Sequence, residues 1–290
     1  MSQTNIKIEL YTDEIETYRL LDSGNQLKLE QIGPYRIIRS EPRAWWRRSL
    51  PQTEWDKAVA IYDKEDAQEW RLKMELENEL ELNIHDTKAL IRFSKRSKQI
   101  GIFPEQYSQW KWIEKNTSTA GDINVLNLFG YTGLSTLFAA RAGAKVTHVD
   151  GSKPVIDWAR ANQKRSGLDD KPIRWILDDA QSFVQREIKR GVKYDAIIMD
   201  PPSFGRGPKG EVWKIEDDLP TLLYICREVL SENPHYIILN LYSTELSSIS
   251  LFNLLSDITF EGRIDLGEMC IKQQESDRIL PLSVFARWSK

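Results

Sequence analysis

From residue 123 onward the chain alternates short apolar runs with longer segments whose apolar residues recur every three or four positions. The runs predict strands at Ile123 to Leu128, Lys145 to Val149, Ile173 to Leu177, Tyr194 to Met199 and Tyr236 to Leu239. The longer segments predict helices at Leu134 to Ala142, Pro154 to Ser166, Ala180 to Arg190 and Asp217 to Leu230, two of them closed by Gly167 and Gly191. Such alternation builds a mostly parallel sheet with helices on both faces. The end differs. After a helix near Ser247 to Asp257, strands at Arg263 to Lys272 and Leu282 to Trp288 are joined only by the loop 273–281, which predicts an antiparallel hairpin.

The first third has another texture. Residues 1 to about 23 are polar, acidic and weakly patterned, a frayed tail or an edge strand. Leu27 and Leu29 alternate with polar residues, Gly33-Pro34 breaks the run and Tyr35 to Ile38 resumes it, which reads as a hairpin. Apolar residues at 72, 74, 76, 80, 82 and 84 keep period two, broken at Asn78, and outweigh the helix propensity of a stretch rich in Glu, Leu, Lys and Met. Half-buried strands are expected there, and another at Leu90 to Phe93. Gln99 to Trp110 is an extended piece kinked at Pro104 that enters a helix carrying Tyr107 and Trp110. The polar stretch Asn116 to Asp122 marks a boundary between a small β-rich domain, 1–115, and a larger α/β domain, 116–290.

Composition narrows the classes. With 41% hydrophobic and 29% charged residues the chain resembles ordinary soluble enzymes, and its formal net charge of −3 gives no global attraction to nucleic acid. Any RNA contact must then come from local patches. Arg36, Arg39, Arg43, Arg47 and Arg48 surround Trp45-Trp46, a combination suited to phosphates and unpaired bases. The plainer reading, which we favour, puts the tryptophans in the small domain's core and the arginines in solvent or beside acids. Lys95-Arg96-Ser97-Lys98 is a second basic patch, of a length that is usually a solvated face. No apolar leader opens the chain and no run reaches the length of a membrane span, so a cytoplasmic protein is expected. Cys226, Cys270, His85, His148 and His235 are scattered, and no metal site is expected.

Candidate chemistry gathers at three strand ends. Val125 to Leu128 runs into Phe129-Gly130-Tyr131-Thr132-Gly133 and at once into a helix. The two glycines allow the backbone to approach a ligand, and the N–H groups of a helix start attract a carboxylate or phosphate. Tyr131 stands where a GxGxxG turn would have its middle glycine, so a pyrophosphate would be crowded. About 20 residues on, Asp150 ends the next strand at the spacing where a carboxylate holds ribose hydroxyls. Tyr194 to Met199 ends in Asp200-Pro201-Pro202-Ser203-Phe204, where two prolines remove two donors and leave carbonyls and the Asp200 carboxylate as acceptors.

In this order and spacing, VLNLFGYTG, Asp150, Asp178-Asp179-Ala180 and DPPSF resemble the class I S-adenosylmethionine-dependent methyltransferases. More narrowly they resemble the group containing the large-subunit ribosomal RNA cytosine-C5 and guanine-N7 methyltransferases. The likeness covers roughly Gly101 to the C-terminus. It implies a Rossmann-like sheet, mostly parallel with an antiparallel C-terminal hairpin, beside a small β-rich N-terminal domain. It implies S-adenosylmethionine as cofactor, with the methionine portion at Phe129, Gly130, Tyr131, Thr132 and Gly133. The ribose is implied at Asp150, with Gly151 and Ser152 following, and the adenine at Asp179 and the Ala180 backbone; a helix N-cap is the plainer use of Asp178-Asp179. Asn127 stands where many members have an acid. In the family the segment before the first strand closes over the cofactor, which implies Phe103, Glu105 and Gln106 near the ligand; a linker with a buried Phe103 is the other reading.

Asp200, Pro201, Pro202 and Phe204 are implied as catalytic. Asp200 and the Pro201 carbonyl would accept hydrogen bonds from a nitrogen acceptor, and Phe204 would stack on its ring. A cytosine-C5 enzyme needs a thiolate nucleophile. The family places it just after the fifth strand, where this chain has Asn240-Leu241-Tyr242-Ser243-Thr244. A nitrogen of an RNA base, in ribosomal RNA, is therefore the expected acceptor. A protein side chain or small molecule is the alternative acceptor, and a non-catalytic RNA- or ribosome-binding module the alternative class; NAD-linked redox chemistry ranks last. Gly205 to Lys214, glycine-rich, basic and aromatic, is expected to form a mobile gate over the acceptor, with Arg206 and Lys209 meeting phosphate.

Overall fold

The computed structural model describes residues 15–62, 69–94, 97–242 and 246–290. They fall into two compact units, one of Gln109–Met269 with Ser283–Lys290, the other of the described part of Leu10–Ser108 with Cys270–Leu282. None of the described helices is long and apolar enough to cross a membrane.

The N-terminal unit begins with β1 (Tyr18–Gly24), β2 (Leu27–Ile32) and β3 (Tyr35–Ser40), followed by the short α1 (Gln52–Trp55), β4 (Ala60–Tyr62) and β5 (Trp70–Leu72). These five strands form one sheet in chain order, with β3 and β4 parallel and the other neighbours antiparallel. The expected hairpin is β2–β3, turning at Gly33 with φ 53°. β1 is the expected edge strand, while residues 1–14 lie outside the described ones. β6 (Leu80–Ile84) and β7 (Thr87–Ile91) pair separately.

The period-two stretch from Leu72 to Ile84 is only partly strand. β5 stops at Leu72 after a last bond from the Lys73 N–H to the Val59 carbonyl, and Met74 is 50% exposed. Alternation persists through 73–79 but among the described residues no neighbouring strand pairs with it, and pairing rather than pattern makes a strand.

The arginine-rich segment is divided. Arg39 is buried and grips Glu30 through two bonds of 2.6 Å, Nε to Oε2 and Nη2 to Oε1, while Tyr18 donates its hydroxyl to the same carboxylate. Burial opposes the Glu30 charge, yet Arg39 and Lys28 hold its pKa down to about 2. Arg36 pairs with Glu54, Arg48 lies 4.0 Å over the Trp55 ring, Arg47 is exposed, and Trp45 is 84% exposed. Trp55, not Trp45, fills the core, with Leu29, Ile38 and Ala58. Of the second basic patch, Lys95 and Arg96 lie outside the described residues.

α2 (Tyr107–Ala120) leads into β8 (Asn124–Leu128), α3 (Leu134–Arg141), β9 (Lys145–Asp150), α4 (Lys153–Arg165), β10 (Ile173–Leu177), α5 (Ala180–Arg190) and β11 (Ala196–Met199). Next come β12 (Phe204–Arg206), β13 (Val212–Lys214), α6 (Ile215–Glu228), β14 (Tyr236–Leu241), α7 (Ser248–Ser256), β15 (Arg263–Lys272) and β16 (Ile279–Ser289). The stretch Asn116 to Ala120, expected to be a break, is helix. Its polar side chains bond back to helix carbonyls, Asn116 to Trp112 and Thr119 to Lys115, and only Gly121, at φ 88°, ends it.

The seven-stranded sheet runs β10-β9-β8-β11-β14-β16-β15, parallel from β10 to β14, with β16 antiparallel to β14. Period two sorts its side chains. Leu126, Leu128, Ile197, Met199, Ile237 and Leu239 join α5, α6 and α7 in one core, while Asn127 bonds to Thr136 of α3 and Tyr236 to Thr117 of α2 on the other face.

Replacing Arg39 with Ala would strand the Glu30 carboxylate in the interior. Urea unfolding at neutral pH should show a loss of about 3–5 kcal/mol. The difference should shrink as pH falls from the usual carboxylate range toward 2, where Glu30 becomes protonated in the native protein too. A loss below about 1 kcal/mol would be that of a solvated arginine.

Candidate active site

The chain visits β8, β9 and β10 in one direction across the sheet and then returns to place β11 on the other side of β8. The crevice at such a reversal is where open α/β sheets bind ligands. Leu128 is in register with Val149 on one side and Met199 on the other. The next residue of each strand, Asp150, Phe129 and Asp200, therefore leaves the sheet at one level. Main-chain bonds tie the ends together: Gly130 N–H to the Val149 carbonyl at 3.1 Å, Asp200 N–H to Leu128 at 3.4 Å and Asp178 N–H to Asp150 at 3.1 Å.

In the turn after β8, Phe129, Tyr131 and Gly133 take φ of 55°, 50° and 85°, with residues of negative φ between them. Alternating signs of this kind make a concave run of backbone that suits an anion. Two non-glycine residues in the left-handed region are costly, and Asp150 helps to hold them: its Oδ2 accepts the Tyr131 N–H at 3.0 Å and its Oδ1 the Ser152 N–H at 2.9 Å. Burial pushes the Asp150 carboxyl above its ordinary range, opposed by those two N–H groups. Each oxygen keeps a further acceptor position, enough for two hydroxyls. α3 starts at Gly133 with no side-chain cap, so its first N–H groups remain available to a carboxylate. The cradle thus fits a ligand with an anionic end and a diol.

The glycines serve a different purpose from the expected one. A Cβ on Gly130 would stand 2.4–2.5 Å from the His148 ring, and one on Gly133 would meet Ala159 and Trp175 at 3.1 and 3.3 Å. Side chains of the protein, rather than a ligand, fill the space beside both. His148 is the residue that sequence reading passed over. It is fully buried, 4.6 Å from the Trp175 ring, with Nδ1 2.9 Å from the Thr136 hydroxyl, which also accepts the Asn127 amide at 2.8 Å. Burial lowers its pKa to about 3, against a small upward pull from the Tyr131 backbone. Asn127 is accordingly bound into a polar chain beneath the turn. Asn162 of α4, also buried, donates to the Thr132 carbonyl at 2.9 Å.

At the neighbouring ends, Asp179 caps α5 by accepting the Ser182 N–H at 2.8 Å, and Asp178 accepts the Asp179 N–H and pairs with Arg186. Ala180 is buried in the first turn. Beyond Asp200, the expected gate is a two-stranded ribbon, β12–β13. Its Trp213 is buried, packs with its ring centroid 4.9 Å from that of Phe129 at a tilt of 55° and donates its indole N–H to the Pro202 carbonyl at 2.7 Å. The Ser203 carbonyl accepts the Ile215 N–H, and Phe204 is 57% exposed. A Cβ on Gly151 would meet the Arg206 carbonyl at 3.4 Å, so the ribbon also lies against the end of β9. Phe103, Glu105 and Gln106 belong to the N-terminal unit, at the 3-10 turn Pro104–Gln106; Glu105 and Gln106 are buried, Phe103 only partly. Their implied role rests on the resemblance.

Gly130→Ala should drive a methyl group into the boxed His148 ring and cost about 1–3 kcal/mol in urea unfolding; an unmoved midpoint would show that the ring can yield. His148 is neutral when folded, so its burial favours the native state above its usual pKa of 6.5, and that support is lost progressively as pH falls toward 3. His148→Gln should flatten this part of the stability curve. Equal slopes in the two proteins would refute the assignment.

No protein-family model matches the chain. It is 32% identical over 146 residues to ribosomal RNA large subunit methyltransferase K of Neisseria meningitidis, half of this chain and 40% of that protein. It is 40% identical over 84 residues to ribosomal RNA large subunit methyltransferase I of Pseudoalteromonas translucida, 29% of this chain and 21% of that protein. The matches span less than half the length of these curated relatives. The SAM-dependent methyltransferase from Agrobacterium tumefaciens, a crystal structure, is 42% identical, covers 98% of this chain and 94% of its own, and superimposes with a TM-score of 0.93. On that likeness, sustained along nearly the whole of both chains, this protein belongs to the SAM-dependent methyltransferases.

Proposed function

We propose that the protein methylates a nitrogen of an RNA base, and that the RNA is ribosomal. The observation that carries the reading is the row Asp150, Phe129, Asp200 at three adjacent strand ends, which sets an acceptor carboxylate beside the cofactor cradle. In this reading the turn Phe129 to Gly133 and the start of α3 hold the methionine portion of S-adenosylmethionine, the helix end contributing about 0.3–1 kcal/mol toward its carboxylate. Asp150 takes the ribose, and Asp179 with the Ala180 backbone takes the adenine. Bound there, the cofactor supplies a methyl group already activated by a sulfonium. The chain's own task is to align the acceptor and exclude water.

Asp200 and the Pro201 carbonyl accept hydrogen bonds from the acceptor nitrogen, since the Pro202 carbonyl is occupied by Trp213. Phe204 stacks on the acceptor ring, a contact worth about 1–3 kcal/mol. Nitrogen is favoured over C5 because both cysteines, Cys226 and Cys270, are buried and neither is presented as a nucleophile. Burial raises the Cys226 thiol far above the range where a thiolate forms. The names of the two curated relatives support ribosomal RNA.

Incubation with labelled S-adenosylmethionine and undermodified total RNA, followed by nucleoside mass analysis, should place the label on a base nitrogen. Label in protein, in small molecules or at cytosine C5 would overturn the reading. Asp200→Ala should lower transfer by about 10²-fold or more, while calorimetry shows unchanged affinity for S-adenosylhomocysteine.

A further inference from the structure

The ribbon β12–β13 has two unlike faces. Its register pairs Phe204 with Lys214, Gly205 with Trp213 and Arg206 with Val212. Side chains alternate along a strand, so Gly205 and Trp213 share one face and Phe204, Arg206, Val212 and Lys214 the other. Burial agrees: Trp213 is 4% exposed, whereas Phe204 and Val212 are 57% and 50% exposed and both cations are exposed. An isolated pair of three-residue strands is not stable by itself. This one is secured from below, by Trp213 against Phe129 and Pro202 and by its backbone against Gly151.

The outer face keeps two apolar side chains and two cations in solvent, with the acids Glu211, Glu216, Asp217 and Asp218 close by in the chain. Glu211, the acid nearest the tip, is occupied by the Lys209 backbone N–H at 2.9 Å and crowds Gly207. Asp218 takes the Lys214 backbone N–H at the start of α6. Asp217 reaches the Lys214 ammonium only at 3.9 Å, with both side chains more than half exposed, and a pair of this kind exchanges readily with phosphate. Aromatic and apolar surface flanked by exchangeable cations is what an unpaired nucleic-acid strand requires. A chain of formal net charge −3 must hold such a strand through a local patch.

We propose that the outer face of the ribbon is a platform for the single-stranded RNA that flanks the methylated base. Val212 extends the stacking surface outward from Phe204, and Arg206 and Lys214 meet phosphates on either side. This rests on the RNA reading above and adds the path of the strand.

The test is anisotropy of a fluorescein-labelled, mixed-sequence single-stranded RNA with the full chain across a salt series. Each phosphate contact on a single strand contributes about 0.7 to the slope of log affinity against log salt. Arg206→Ala/Lys214→Ala should therefore reduce the slope by up to about 1.4 and weaken binding several-fold at low salt. Arg206→Lys/Lys214→Arg should restore most of it, and S-adenosylhomocysteine affinity should stay at the wild-type value in both. An unaltered slope in the alanine variant, or no binding of this RNA by the wild-type chain, would overturn the platform. Methyl transfer to RNA with an unaltered slope would remove the platform and leave the proposed function standing. The slope change without transfer would do the reverse.

Discussion

Three parallel strands ending in register are the constraint on which the site depends. With Leu128 level with Val149 and Met199, the residues that follow leave the sheet side by side, and neighbouring strands set them roughly 5 Å apart. Asp150, which holds the turn, the turn itself and Asp200 are thereby fixed by largely buried strands. The rigidity comes from backbone pairing. Loops supply only the last few residues, and each is tied back by a main-chain bond.

Beneath the turn lies a small polar layer that the hydrophobic pattern does not reveal. Asn127, Thr136 and His148 are nearly or fully buried and bond to one another in sequence, and Gly130 is a glycine because His148 occupies the space beside it. A buried network of this kind favours one geometry, since a displaced member would leave polar atoms unpaired in a medium that cannot solvate them. The left-handed turn above it is tied by Asp150, which accepts the Tyr131 N–H, and by Asn162, which donates to the Thr132 carbonyl.

The N-terminal unit uses charge in a comparable way. Asp22 is buried and collects donors from Ser23, Ser49, Leu50 and Trp55, which more than offset the burial that would raise its pKa. Arg39 and Glu30 form a second buried centre, and the charge of Glu105 bears on Arg39 as well. Arg39, which looks in sequence like part of a cationic surface, therefore serves the interior of the small sheet. Arg206 and Lys214, on the ribbon beside the strand ends, stay exposed.

Apart from the ribbon β12–β13, which was expected as a loop, the order of strands and helices from 123 to 289, the glycine turn, the strand-end acids and the proline pair were all legible in the sequence, because each is local. Period two or 3.6, a helix start and an acid at a strand's last position are written in adjacent residues. What the sequence left open was every question of partnership. Residues 73–79 alternate like a strand but have none beside them among the described residues, Asn116 to Ala120 look like a break but continue the helix to Gly121, and Arg39 sits in a basic run but finds Glu30 inside. Likewise only register shows that Phe204, Arg206 and Lys214 share a face, and only packing shows that Gly130 faces a histidine. Local pattern determines which elements form and where chemistry can be placed on them. The tertiary structure alone decides which side chains meet, since a neighbour distant in the chain leaves no periodic trace in it.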